Sequence, residues 1–96
     1  MKVRFELDSQ KEKINLRKHG ISFGEAQSVF LDDEALLILD PDHSLDERRF
    51  VMLGLSQKIR LLLVCHCYRE NDQVIRIISA RKADREETKV YLSKRG

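Results

Sequence analysis

The hydrophobic period of this 96-residue chain changes near residue 35, and no other feature restricts the fold as much. Upstream, Ser9 to His19 carries Gln, Lys, Glu, Leu and Arg with no β-branched run, which predicts a helix. Ser9 is placed to cap its start, with Asp8 as the second choice, and Gly20 is placed to close its end. Ile14 is its main apolar contact, so this helix is expected on the surface. Ser22 and Glu25 have capping-box spacing, and Phe23, Ala26 and Phe30 then share one helical face, predicting a second helix over 23–31.

Downstream the pattern is that of strands. Ala35–Leu39 is an apolar run that ends at the turn signal Asp40-Pro41-Asp42. Arg48–Ser56 and Ile59–Tyr68 are β-rich runs separated by Gln57-Lys58, and Val74–Ala80 follows the turn Glu70-Asn71-Asp72. Four runs joined by short loops predict a four-stranded antiparallel meander sheet. Lys2–Leu7 alternates as a short strand or extended arm, and Asp84–Lys94 returns to helix formers. The expected fold is therefore α+β. An N-terminal helical hairpin and a C-terminal helix cover one sheet face and leave the other partly open. A chain of this length supports one core, hence a single domain over 1–96.

Charge divides the chain unevenly. Residues 1–31 balance at +2, residues 32–47 at −7 with no Lys or Arg, and residues 48–96 at +7. A basic second half beside an acidic stretch suits contact with a polyanion, although a solvated charge-rich surface accounts for the same counts. No apolar run approaches the roughly 20 residues of a membrane span. Met1–Asp8 lacks the apolar core of a signal peptide, so the expectation is a cytoplasmic protein with no membrane contact. Cys65 and Cys67 would share one face of a strand, where a bond between them is awkward, and Cys65-His66-Cys67 lacks zinc-site spacing. Two buried thiols, with no metal and no cofactor, are the expectation.

Several strings in this sequence resemble the BrnT toxin family. They are Phe5-Glu6-Leu7-Asp8, Lys11, Asn15, Lys18-His19-Gly20-Ile21 and Phe23-Gly24-Glu25-Ala26 near the start. In the middle are Asp42-His43-Ser44, Glu47-Arg48-Arg49-Phe50 and Gly54, and later Arg76 to Ala83. The resemblance implies a RelE-like fold and an RNA-cleaving toxin that blocks translation. It also implies neutralisation by a BrnA-type antitoxin with a ribbon-helix-helix portion, so that DNA is met only through the antitoxin. Leu7 stands where the family usually has tryptophan. That departure supports the alternative reading, a non-catalytic antitoxin-binding partner that modulates operator binding. A stand-alone RNA-binding protein is the weakest reading, since aromatics are 6% of the chain with no Trp.

Metal-free RNA cleavage needs a base for the 2′-OH proton, an acid for the leaving 5′-oxygen, and cations for the charge that develops on phosphorus. His43, in the turn after Pro41, is the first candidate for proton transfer; an exposed turn histidine among acids is the other account. Arg81 is the leading cation, because it leaves the sheet at the rim, and Arg60 opens the preceding strand near the same rim. On a regular strand Arg76 lies on the opposite face from Arg81. Arg76, Lys82, Lys18 and His19 are candidate RNA contacts, with dipole compensation at a helix end as the plainer account of His19. The resemblance adds Lys11 and, at the last helix, Tyr91 as a stacking or catalytic tyrosine. For each single arginine a solvated surface charge is the plainer account, but for the set Arg48, Arg49, Arg60, Arg76, Arg81, Lys82 and Arg85, all in the sheet half, a phosphate-binding surface is favoured. His66 reads as a packed histidine.

Overall fold

A computed structural model describes residues 3–39 and 49–95. Strand β1 (Arg4–Leu7) leads into helix α1 (Ser9–His19), and α2 (Phe23–Ser28) continues as a 3-10 turn over Val29–Leu31. Strands β2 (Leu36–Leu39), β3 (Arg49–Leu55), β4 (Leu61–Arg69) and β5 (Val74–Lys82) follow, and α3 (Arg85–Arg95) closes the chain.

Local chemistry sets the helix ends. Asp8 caps α1, its Oδ1 accepting from the Gln10 and Lys11 amides at 2.9 and 3.1 Å. A carboxylate one residue ahead of Ser9 meets the positive helix end better than a hydroxyl does. Gly20 takes φ 71° and its amide donates to Leu16 O, a left-handed closure that costs glycine nothing. The capping box before α2 is half made. Ser22 Oγ accepts from the Glu25 amide at 3.0 Å, but the Glu25 carboxylate turns into the protein instead of back to the cap. The second helix is also shorter than its apolar spacing predicts. Ser28 Oγ donates to Glu25 O at 2.5 Å, and the chain tightens into the 3-10 turn there.

The sheet corrects the expected four-stranded antiparallel meander. β2 to β5 do pair antiparallel in sequence order, but β1 adds a fifth strand, parallel to β5, with Arg4 opposite Val74 and Leu7 opposite Ile77. The strand order β1-β5-β4-β3-β2 is mixed. Four alternating residues carry no information about a partner some 70 positions away, so sequence periodicity had no means of assigning β1.

Ile21, Phe23, Ala26 and Val29 pack against Leu62, Val64, Ile77 and Ala80 to form the core on one sheet face. Gly54 lets the layers close, since a Cβ there would lie 2.8 Å from Val29 Cγ1 and 2.9 Å from Ala35 Cβ. Ile14, expected as the apolar contact of α1, is exposed. The helix is instead tied down by buried Asn15. Its Nδ2 donates to Ile21 O at 2.9 Å and Ala80 O at 2.8 Å, and its Oδ1 accepts from the Ala80 amide at 3.0 Å. His66 is fully buried, with Nδ1 3.1 Å from Val64 O, Nε2 3.2 Å from the Tyr68 hydroxyl and its ring against Phe30. Burial pushes its pKa down.

Helix α3 departs from expectation by lying on the opposite face. Val90 and Glu87 close a groove with Ile38, Val51, Leu53 and Leu63, which point away from α1 and α2. Cys67 is buried and Cys65 half-buried, and neither is in a disulfide. Among the described residues, no helix is long and apolar enough to cross a membrane.

Candidate nucleic-acid interface

Strand register decides which basic side chains can work together. Cys65 pairs with Ser79 whereas His66 pairs with Ile77, so Ile78 is an extra residue bulged out of β5. One inserted residue reverses the alternation beyond it. Arg76, opposite Cys67, and Arg81, opposite Leu63, therefore share the face turned away from α1 and α2. The regular strand assumed from sequence put them on opposite faces. Arg49, also opposite Cys67, Arg69, and Arg4 of β1 belong to this same face. Of these three, only Arg49 was named from sequence, within the basic set of the sheet half, because sheet faces depend on register between strands.

The face is cationic but internally compensated. Arg76 Nε lies 3.3 Å from Glu6 Oε1, Arg69 reaches the same oxygen at 4.0 Å, and Arg4 pairs with Glu70 at 2.8 Å. Arg81 is held most firmly. Its Nη1 and Nη2 donate to the two carboxylate oxygens of Glu87, each at 2.9 Å, and Nη1 also reaches Lys82 O at 3.2 Å. Glu87 is itself fixed. Its Oε1 accepts from the Asp84 amide while Asp84 Oδ1 accepts from the Glu87 amide, both at 2.8 Å. That reciprocal capping box is legible in Asp84-Arg85-Glu86-Glu87, whereas the contact of Glu87 with Arg81 is set by where β5 delivers the guanidinium. The Arg81 guanidinium beside Glu87 holds that carboxyl below its ordinary range.

Arg60 lies at the same rim, since Leu61 O accepts from the Ala83 amide and Leu62 pairs with Lys82. Its surroundings differ. Arg60 Nε donates to Glu25 Oε2 at 2.8 Å, Nη2 donates to Oε1, and Ser56 Oγ donates to Oε2 at 2.7 Å. The hydrogen bond from Arg60 is the first cause that holds the Glu25 carboxyl low, against the desolvation of a group only 1% exposed. Arg60 Nη2 also approaches Gly20 O at 3.4 Å, which brings the end of α1, with Lys18 and His19, to this rim.

Lys11 and Arg76 gather elsewhere, around the Asp8 carboxyl. Backbone donation from Lys11 is the first cause that lowers its pKa, and the charges of Lys11 and Arg76 add to it. The RNA-contact candidates thus form two groups, Lys18, His19 and Lys82 at the rim, and Lys11 with Arg76 beside β1. Tyr91 is buried, and its hydroxyl donates to Asp32 Oδ2 at 2.6 Å, an oxygen that also accepts from the Leu55 amide at 2.8 Å. Its visible task is to anchor α3. His43 lies outside the described residues. Among the described residues, no group of three or more His, Cys, Asp or Glu could hold a metal ion.

Residues 7–87 match a family model described as the ribonuclease toxin BrnT of type II toxin–antitoxin systems. The fold resembles the crystal structure of the Brucella abortus ribonuclease toxin BrnT. That similarity has a TM-score of 0.61 at 22% identity and covers 88% of this chain and 99% of that one. No curated protein matches the chain in sequence.

Proposed function

The chain belongs to the BrnT family of ribonuclease toxins of type II toxin–antitoxin systems, and from that premise we propose that it cleaves RNA without metal on the sheet face of Arg76 and Arg81. The observation that carries this reading is the bulge at Ile78, which brings those two guanidiniums to one surface. There the 2′-hydroxyl attacks the adjacent phosphorus and the 5′-oxygen leaves, giving a 2′,3′-cyclic phosphate. Arg81 stabilises the charge on phosphorus. Its side chain is 42% exposed, so a phosphate can reach the guanidinium and replace the Glu87 carboxylate on the same fork. His43 supplies proton transfer, and Lys11, Lys18, His19 and Lys82 hold flanking phosphates. Arg60 supports the rim from behind, since withdrawing it would strand the buried Glu25 charge. Tyr91 acts through packing. The fold is RelE-like, the protein acts in the cytoplasm, and a BrnA-type ribbon-helix-helix antitoxin neutralises it and mediates any contact with DNA.

The test uses purified free protein and a fluorophore-quencher RNA oligonucleotide in excess EDTA. Cleavage to products with 2′,3′-cyclic ends is expected, and intact RNA in the presence of folded protein overturns the proposal. One observation favours the second reading, a non-catalytic antitoxin-binding partner: Arg60, Arg81 and Tyr91 each donate to a carboxylate within the protein. Growth arrest on expression, relieved by the antitoxin, separates the two.

A further inference from the structure

β2 has the composition of an inner strand and the position of an outer one. Leu36-Leu37-Ile38-Leu39 does not alternate, which suits a strand covered on both faces. It nevertheless ends the sheet, and Leu37, Ile38 and Leu39 are 50, 45 and 42% exposed. Beside it runs the groove closed by Val90 and Glu87 of α3 and floored by Leu53 and Leu63. Sheets ordinarily blunt such an edge with charge, as β1 does with Arg4 and Glu6.

Charge identifies the occupant. Residues 32–47 carry −7, with Asp33 and Glu34 exposed just ahead of β2. Pairing β2 with a second copy would bring two such stretches together, and like charge opposes that. An apolar segment flanked by Lys or Arg satisfies both the groove and the acids.

We propose that the antitoxin docks here, adding an extended apolar segment to the β2 edge, with its side chains in the groove under α3 and its basic flank on Asp33 and Glu34. The inference rests on the toxin–antitoxin reading and gives that partner a location. Because Glu87 walls the groove and also holds Arg81, a docked segment keeps that pair closed and leaves phosphate no entry.

The test titrates wild type, Ile38→Lys and Val90→Lys with the ribbon-helix-helix protein of the same operon, following affinity by calorimetry and RNA cleavage by the free toxin in parallel. Each variant should weaken the complex about 100-fold and leave free-toxin cleavage unchanged. Unchanged affinity in folded variants overturns the docking site while the toxin reading stands; a wild type that binds no such protein overturns that part of the reading itself. Amide exchange of residues 36–39 in wild type decides the matter even if a variant fails to fold. Protection that appears only with antitoxin supports the site. Protection already present in the free monomer assigns the edge to the chain's own residues, and protection that grows with toxin concentration assigns it to a second copy; either overturns the proposal.

Discussion

Two arginine–glutamate pairs stand at one rim of the sheet, and they are built for different ends. In Arg60–Glu25 the carboxylate is buried, shares an oxygen with Ser56 and faces a guanidinium 31% exposed. In Arg81–Glu87 the geometry is a cleaner fork, but both side chains reach solvent. Burial is what makes the first a structural latch, because removing Arg60 leaves the Glu25 charge without water. Solvent is what makes the second exchangeable, since a phosphate can replace the carboxylate while water covers the intermediate state. Residue type and pairing alone do not separate a supporting arginine from one free to bind substrate.

The contrast breaks most visibly at Arg60. Arg60→Ala strands the Glu25 carboxylate, 1% exposed, which should cost about 3–5 kcal/mol in urea unfolding, with part of the loss recovered when Glu25→Gln is added. A cost below about 1 kcal/mol would put Arg60 with the exchangeable arginines. Arg81→Ala should do the reverse: RNA cleavage falls about 100-fold, or about 2.7 kcal/mol, while unfolding free energy moves by less than about 1 kcal/mol. Tyr91→Phe removes a hydroxyl that donates to a carboxylate, so stability should drop by about 1.5–3 kcal/mol with cleavage by the remaining folded protein unaltered. That outcome would place Tyr91 on the structural side.

pH sharpens the comparison. Both glutamates have folded-state pKa values lowered from the ordinary 4.5, so the unfolded chain binds protons first and stability falls with acidification. The stabilisation is complete above that ordinary value and is lost as pH falls through the lower folded values. Melting temperature followed from pH 7 downward should fall less steeply in acid for Glu25→Gln than for wild type, and Glu87→Gln should flatten the curve less. The smallest effect concerns the turn that delivers Arg60. Ile59, β-branched, sits at φ 59°, a strained conformation held by Ile59 N–Ser56 O and Ser56 N–Arg60 O bonds at 2.9 and 2.8 Å. Ile59→Gly should stabilise by about 1 kcal/mol in urea unfolding, since the side chain it removes is 79% exposed.

Much of the architecture was legible because it is local. The closure of α1 at Gly20, the Ser22 cap, the turn at 70–72 and the antiparallel order of β2 to β5 all follow from neighbours within a few positions. The candidate site was less legible. Arg81 and Arg76 could be named as cations, but their common face depends on a bulge that only pairing with β4 defines. Asn15, unremarked as chemistry in the sequence, bolts α1 to β5 across 65 positions.

By itself the sequence determined the element types, the helix ends, the family and the presence of a basic second half, since propensity, capping and spacing act along the chain. Only the tertiary structure decided that β1 joins β5 in parallel, that α3 crosses to the other face, and which arginines are bound to buried carboxylates. Register, sheet face and burial arise when distant segments meet, and no single stretch of residues contains them.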